Sequence, residues 1–271
     1  MTDTSPSDTG SQDVVLAERR GAVLVLTFNR PDRLNAWNRD LEARYFELLD
    51  EAEADADLRA IVVTGAGRGF CSGADMDDLQ RVAGGDRRAP STPTRPRSFP
   101  LTVRKPMIAA INGAAAGLGL VEALYCDIRF ATPDAKLTTA FARRGLIAEY
   151  GIAWILPRLI GPGRALDLLL SGRVILAQDA HAIGLVDRIV EPPALLDAAV
   201  AFADELARHS SPTSMSIIKA QIQRAMDSDF CTAFTEAEEL MIESFHQPDF
   251  AEGVASYLEG RPPAFAPLGP R

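Results

Sequence analysis

GFCSGADM (69–76) and NGAAAGLG (112–119) carry most of what this sequence says about its fold. Each lies next to an apolar run, AIVVTG (60–65) and PMIAAING (106–113), and each leads into a helical pattern. Strand, glycine-rich turn and helix thus occur twice in succession. Either turn alone is satisfied by a tight connection, because glycine accepts backbone angles that other residues avoid. Together they do something more specific. Backbone N–H groups from neighbouring strand-to-helix turns can converge on one oxygen and hold a developing negative charge, and the second turn has a helix N-terminus behind it. On a thioester, an oxyanion held this way makes the adjacent carbon acidic enough for a carboxylate to deprotonate.

Upstream, VVLAERRGAVLVLTFNR (14–30) reads as two strands around Gly21. Val23, Val25 and Thr27 alternate with Leu24, Leu26 and Phe28, so the second strand is expected to be buried on both faces. Leu41, Tyr45 and Leu48 recur at helical spacing behind Asn38, a fitting N-cap, and Asp75 fits the N-cap of the helix after the first glycine turn. Residues 84–100 are rich in Pro, Arg, Ser and Gly and read as a mobile loop. IRFAT (128–132) and KLTTA (136–140) are short strands, VDRIV (186–190) is a last one, and the remainder is helical. The pattern is α/β, with β/α units first and helices last. It divides into a disordered leader (1–13), a core (14–191) and a helical C-terminal region (192–271). No self-similar period is evident.

The chain has 271 residues and a net charge of -9, with 47% hydrophobic and 24% charged residues. That balance supports a large packed core and argues against a general nucleic-acid or anionic-membrane surface. Cys71, Cys126 and Cys231 are odd in number and widely spaced, and His181, His209 and His246 have no partner at metal or triad spacing. Neither a disulfide framework nor a metal site is expected, and a reducing cytoplasm fits. Cys71 reads as a small packed residue, since no base lies near it in sequence. No apolar run reaches the roughly 18 residues of a membrane-spanning helix.

In their order, these segments resemble the enoyl-CoA hydratase/isomerase (crotonase) family, over roughly Val14 to Phe265. The likeness is carried by NRPDRLNAWN (29–38), FCSGADM (70–76), KPMIAAINGAAAGLGL (105–120), CDIRFAT (126–132), ALDLLLSGR (165–173), GLVDRIV (184–190) and EGVASYLEGRPPAF (252–265). The resemblance implies a crotonase-like spiral of ββα turns with a helical C-terminal trimerisation region, assembled as a homotrimer or hexamer. It implies an acyl-CoA thioester as substrate, with coenzyme A present only as part of that substrate and no metal or redox cofactor. The oxyanion N–H groups fall on Ala74 and Leu118. Coenzyme A is expected along Arg33, Leu34 and Ala36 and the strand reaching Phe70. Ser72, Gly73, Asp75, Met76, Gly117, Val121, Phe141 and Trp154 are also expected among the substrate-binding residues. Arg33 can equally be read as a plain surface cation or as a phosphate contact.

Hydratases of the family use two glutamates, and at those places this sequence has Val121 and Phe141. Glu122 is one residue late, roughly 100° around the helix, and is expected to face elsewhere. Glu149 remains, in FARRGLIAEYG (141–151), a segment resembling the isomerase branch in which a single acidic residue moves a proton along an allylic system. Phe141, Leu146, Ile147, Ala148, Ile152 and Trp154 make its surroundings apolar. Glu149 reads either as that proton carrier or as a solvated loop glutamate near Arg143 or Arg144. The resemblance therefore implies an enoyl-CoA isomerase, shifting a β,γ double bond to α,β through an enolate. Its rivals are an enoyl-CoA hydratase in which Glu149 or Glu122 activates water alone, and a non-catalytic acyl-CoA or RNA binder.

Overall fold

The computed structural model describes residues 13–85 and 95–269. The hairpin expected around Gly21 is present as β1 (Val15–Arg20) and β2 (Val23–Phe28), followed by α1 (Arg39–Ala54). Asn38 caps α1, its side chain accepting the Leu41 N–H at 3.0 Å. Three units of one form come next: β3 (Ala60–Gly65), β4 (Gly69–Cys71) and α2 (Met76–Ala83); β5 (Met107–Ile111), β6 (Ala114–Ala116) and α3 (Leu118–Tyr125); β7 (Ile128–Ala131), β8 (Lys136–Thr138) and α4 (Ile152–Ile160). After them run α5 (Pro162–Ser171), β9 (Ile175–Leu176), α6 (Ala177–Ala182), β10 (Arg188–Ile189), α7 (Leu195–His209), α8 (Pro212–Ala225), α9 (Phe230–Ser244) and α10 (Pro248–Glu259).

Each unit places its first strand in one sheet and its second in another. The larger sheet has the order β1-β2-β3-β5-β7-β10, and the smaller β4-β6-β8-β9. All pairs are parallel except β1 with β2 and β8 with β9. This is the expected spiral of ββα turns. Its repeat is invisible in the sequence because only the geometry recurs. One reading needs correction: Gly69–Cys71 and Ala114–Ala116, taken as parts of glycine-rich turns, are strands of the second sheet. Three residues are too few to display a two-residue period.

The main core lies between the sheets and under α1, where Phe28 meets Trp37, Tyr45 and Phe70 edge-on at 5.3 to 5.5 Å. The opposite face of the larger sheet, with Val23, Val25, Val62 and Ile108, is covered by Leu195, Ala199 and Ala203 of α7. The strand Val23–Phe28 is therefore buried on both faces, as its alternation requires. Leu195, Ala199 and Ala203 thus pack α7 against the larger sheet. No residue of α9 is buried. Residues 1–12 of the expected leader and 86–94 of the expected mobile loop lie outside the described residues. Among those described, no helix is long and apolar enough to cross a membrane.

Candidate active site

The loop at residues 29–38 folds back over the first glycine turn. Asn35 is wholly buried; its side-chain oxygen accepts the Arg30 N–H at 2.8 Å, and its amide donates to the carbonyls of Ala66 at 2.9 Å and Gly69 at 2.8 Å. Arg30 donates to the Ala36 carbonyl and pairs with Asp75 at 2.9 Å. Asp75 caps α2, accepting the Asp77 N–H at 3.1 Å. Burial works against the Asp75 charge, but the Asp77 N–H and the Arg30 guanidinium outweigh it and hold the carboxyl below its usual range. Asp75 is thus a structural anion, as its expected capping role requires. Arg30 and Asn35, which sequence reasoning passed over, do as much to set this turn, and NRPDRLN was the visible signal.

This loop aims the Ala74 N–H. Trp37 donates to the Gly73 carbonyl at 2.7 Å and accepts from Asp75 N–H at 2.9 Å. In an extended segment successive amides point to opposite sides, so once Gly73 and Asp75 face Trp37 the Ala74 N–H faces away. It has no acceptor among the described residues. The Leu118 N–H opens α3, where the first turn of a helix leaves its N–H groups without intrahelical partners. It too has none among the described residues. Two glycines bring these groups together. A side chain on Gly73, at φ 92°, would come within 2.6 Å of the Ala116 carbonyl and stand 3.6 Å from the Leu118 nitrogen. One on Gly119 would come within 2.1 Å of the Cys71 carbonyl.

Both N–H groups open on a cleft of about 390 Å³. Arg33, Ala36, Ser72, Gly73, Ala74, Asp75, Met76, Gly117, Leu118, Phe141 and Glu149 line it, eleven positions singled out from the sequence, with Thr139, Ala140, Arg144, Leu146 and Tyr150 beside them. Leu34, Phe70, Val121 and Trp154 do not line it. Phe70 and Val121 have no exposed surface and fill the core between the sheets. Leu34 turns through φ 50°, and only its carbonyl serves the site, accepting from Ser72 N–H at 3.0 Å. Trp154 lies in a separate groove with Arg97, Leu101 and Tyr125. Glu149 is half-buried, and of its expected apolar neighbours Ile147 is 79% exposed while Phe141 and Leu146 form the wall.

Backbone strain concentrates here. Among the described residues the non-glycine positions with left-handed backbone are Leu34, Asn35, Ala140 and Tyr150. Ala140 and Tyr150 line the cleft, and the other two lie between Arg33 and Ala36, which also line it. Such conformations cost roughly 1–3 kcal/mol each and persist where the surroundings over-determine them.

Glu122 faces away from the cleft as expected, into the core. Neither carboxyl oxygen has a hydrogen-bond partner among the described residues, and burial, reinforced by the Glu42 charge, pushes its pKa well above the ordinary value. Burial thus favours the protonated, neutral form of Glu122. Burial likewise pushes the Cys71 thiol up to about 12, consistent with a packed side chain.

A spiral of ββα turns with two N–H groups at a cleft, unpartnered among the described residues, suits an acyl thioester, and sequence comparison agrees. The enoyl-CoA hydratase/isomerase family description matches residues 18–267. The chain is 36% identical to the 1,2-epoxyphenylacetyl-CoA isomerase of Escherichia coli strain K12 over 93% of its length and 98% of the relative's. Among solved structures, an enoyl-CoA hydratase from Mycobacterium marinum is 50% identical with a TM-score of 0.68, covering 78% of this chain and 97% of that one. An enoyl-CoA hydratase from Mycobacterium tuberculosis H37Rv superposes with a TM-score of 0.86 at 31% identity, covering 94% and 99%. The chain belongs to the enoyl-CoA hydratase/isomerase family, has the crotonase fold, and is an acyl-CoA enzyme of that family.

Proposed function

We propose that the protein is an enoyl-CoA isomerase in which Glu149 is the proton carrier. The observation that carries this reading is the inventory of acids in the cleft: Asp75 and Glu149 line it, and Asp75 is committed to Arg30 and to capping α2, which leaves Glu149. The two places where a hydratase would need glutamates hold the buried Val121 and Phe141. The isomerase named in Escherichia coli supports the same reading.

In this mechanism the Glu149 carboxylate takes the α-proton of a β,γ-enoyl thioester. The released electron pair passes to the thioester oxygen, where the Ala74 and Leu118 N–H groups hold the charge. The resulting Glu149 acid returns the proton to the γ-carbon, and the double bond moves to α,β. Atoms and electrons balance within one substrate, so no redox partner is required. Arg33, 61% exposed at the cleft, suits a phosphate of coenzyme A. Binding energy from that remote end aligns the thioester with the two N–H groups.

The test is α-proton exchange in heavy water, followed by NMR on a β,γ-enoyl-CoA. Glu149→Gln is expected to lower exchange by about a hundred- to ten-thousand-fold with melting and acyl-CoA affinity unchanged. Exchange at the wild-type rate overturns the reading. The hydratase names among the relatives favour a second reading, water addition to an α,β-enoyl-CoA, and net hydration by the wild-type protein would establish it.

A further inference from the structure

We propose that Tyr150, held from behind by Arg97, is a positioning residue for Glu149: its phenol accepts a hydrogen bond from the guanidinium and directs its own proton at the Glu149 carboxylate. The inference rests on Glu149 being the proton carrier.

Arg97 is fixed from the far side. Its Nε pairs with Glu42 at 2.9 Å, and that carboxylate also accepts the Trp37 indole N–H at 2.9 Å. From there the guanidinium donates to the Tyr150 hydroxyl at 3.0 Å and lies 5.0 Å from the centre of its ring. A phenol has one hydrogen to give. With a cation, which can only donate, bound to its oxygen, the hydrogen is left for another acceptor. Glu149 is the adjacent residue and lines the same cleft.

The backbone prevents the ring from leaving. Tyr150 sits at φ 55°, a conformation unfavourable for a bulky residue, and its carbonyl accepts the Tyr125 hydroxyl at 2.6 Å. Strain of this kind marks a side chain whose direction is specified by the fold. The electrostatics agree. Burial pushes the Tyr150 hydroxyl above its usual pKa; Arg97 opposes the shift, while the negative charge of Glu149 adds to it. The phenol keeps its proton near neutrality and stays available as a donor. A glutamate has three rotatable side-chain bonds, so holding one carboxylate oxygen restricts where the other can point.

The experiment uses the full chain and a β,γ-enoyl-CoA, comparing wild type, Tyr150→Phe, Glu149→Gln and the double variant. Tyr150→Phe keeps the ring and its packing. It is expected to lower kcat about ten- to hundredfold, the scale of a hydrogen bond to a charged group, with KM and calorimetric acyl-CoA affinity unchanged. Added to Glu149→Gln, it should cost nothing further. Wild-type kcat in Tyr150→Phe, a loss confined to KM, or the same loss on both backgrounds overturns the proposal. Wild-type exchange in Glu149→Gln instead overturns the assignment of the base, and the proposal with it. A measurement that does not depend on Tyr150→Phe folding is the ring NMR titration of the 4 tyrosines in wild type and Glu149→Gln. One resonance should titrate at lower pH once the neighbouring negative charge is gone, and an unchanged set overturns the contact.

Discussion

The cleft has one wall made of backbone and one made of side chains. On the first, Ala74 and Leu118 present N–H groups from turns closed by Gly73 and Gly119, where any side chain would strike a carbonyl. On the second, Phe141, Glu149 and Tyr150 project from the segment following β8, whose residues 142–150 are exposed or half-buried. The backbone wall would stabilise the enolate of any acyl thioester. In the proposed mechanism the side-chain wall decides where the proton goes. Damage to the first should therefore appear as lost structure, and damage to the second as lost rate in an intact fold.

The sharpest test of that contrast is Gly119→Ala. The added carbon would lie 2.1 Å from the Cys71 carbonyl, so α3 must withdraw from β4 and carry the Leu118 N–H with it. Overpacking of this kind costs about 1–3 kcal/mol or more, and each kcal/mol is worth roughly 2–4 °C of melting temperature at this size. Calorimetry should show the loss of stability alongside lost turnover. A variant that melts like wild type yet is inactive would mean that the two walls fail in the same way.

Glu122→Gln is expected to act on stability alone. The folded protein holds the Glu122 proton above the ordinary glutamate value of 4.5, where the unfolded chain releases it, so stability falls as pH rises beyond that value. Glutamine does not titrate. The variant should melt above wild type at pH 8 and close to it at pH 4, with catalysis unchanged. A large rate loss would bring Glu122 into the chemistry and break the division between the walls.

The smallest single-site effect is expected outside the cleft. The helices α7 and α9 each have 15 residues and apolar faces, yet α7 buries Leu195, Ala199, Ala203 and Ala207 while α9 buries none. Phe230, 80% exposed, and Met241, 49% exposed, are left on α9. We propose that a homotrimer or hexamer covers them. Light scattering should give that mass at micromolar concentration, and Phe230→Ser should weaken assembly about tenfold, near 1.4 kcal/mol. A wild-type monomer would refute the assembly and leave both walls as described.

Requirements met by one or two residues were legible in the sequence. Gly73 and Gly119 are needed wherever backbones approach this closely, Asn38 and Asp75 cap helices through bonds within three residues, and the double burial of β2 is written in its run of apolar positions. Glu149 was singled out because Val121 and Phe141 stand where a hydratase would need glutamates, and the structure places it on the cleft. The second sheet was not, since its strands at 69–71 and 114–116 are too short to show a period. Nor was the line from Glu42 through Arg97 to Tyr150, which joins positions 55 and 53 residues apart and has no local pattern. Trp154, apolar and close to Glu149 in sequence, was expected among the substrate-binding residues, but its position in α4 carries it into a neighbouring groove. Local backbone geometry restricts which residues can stand at a position, and so leaves a trace in the chain. Which distant side chains meet is decided only when the ββα turns stack, because only then do their separations become a few ångströms.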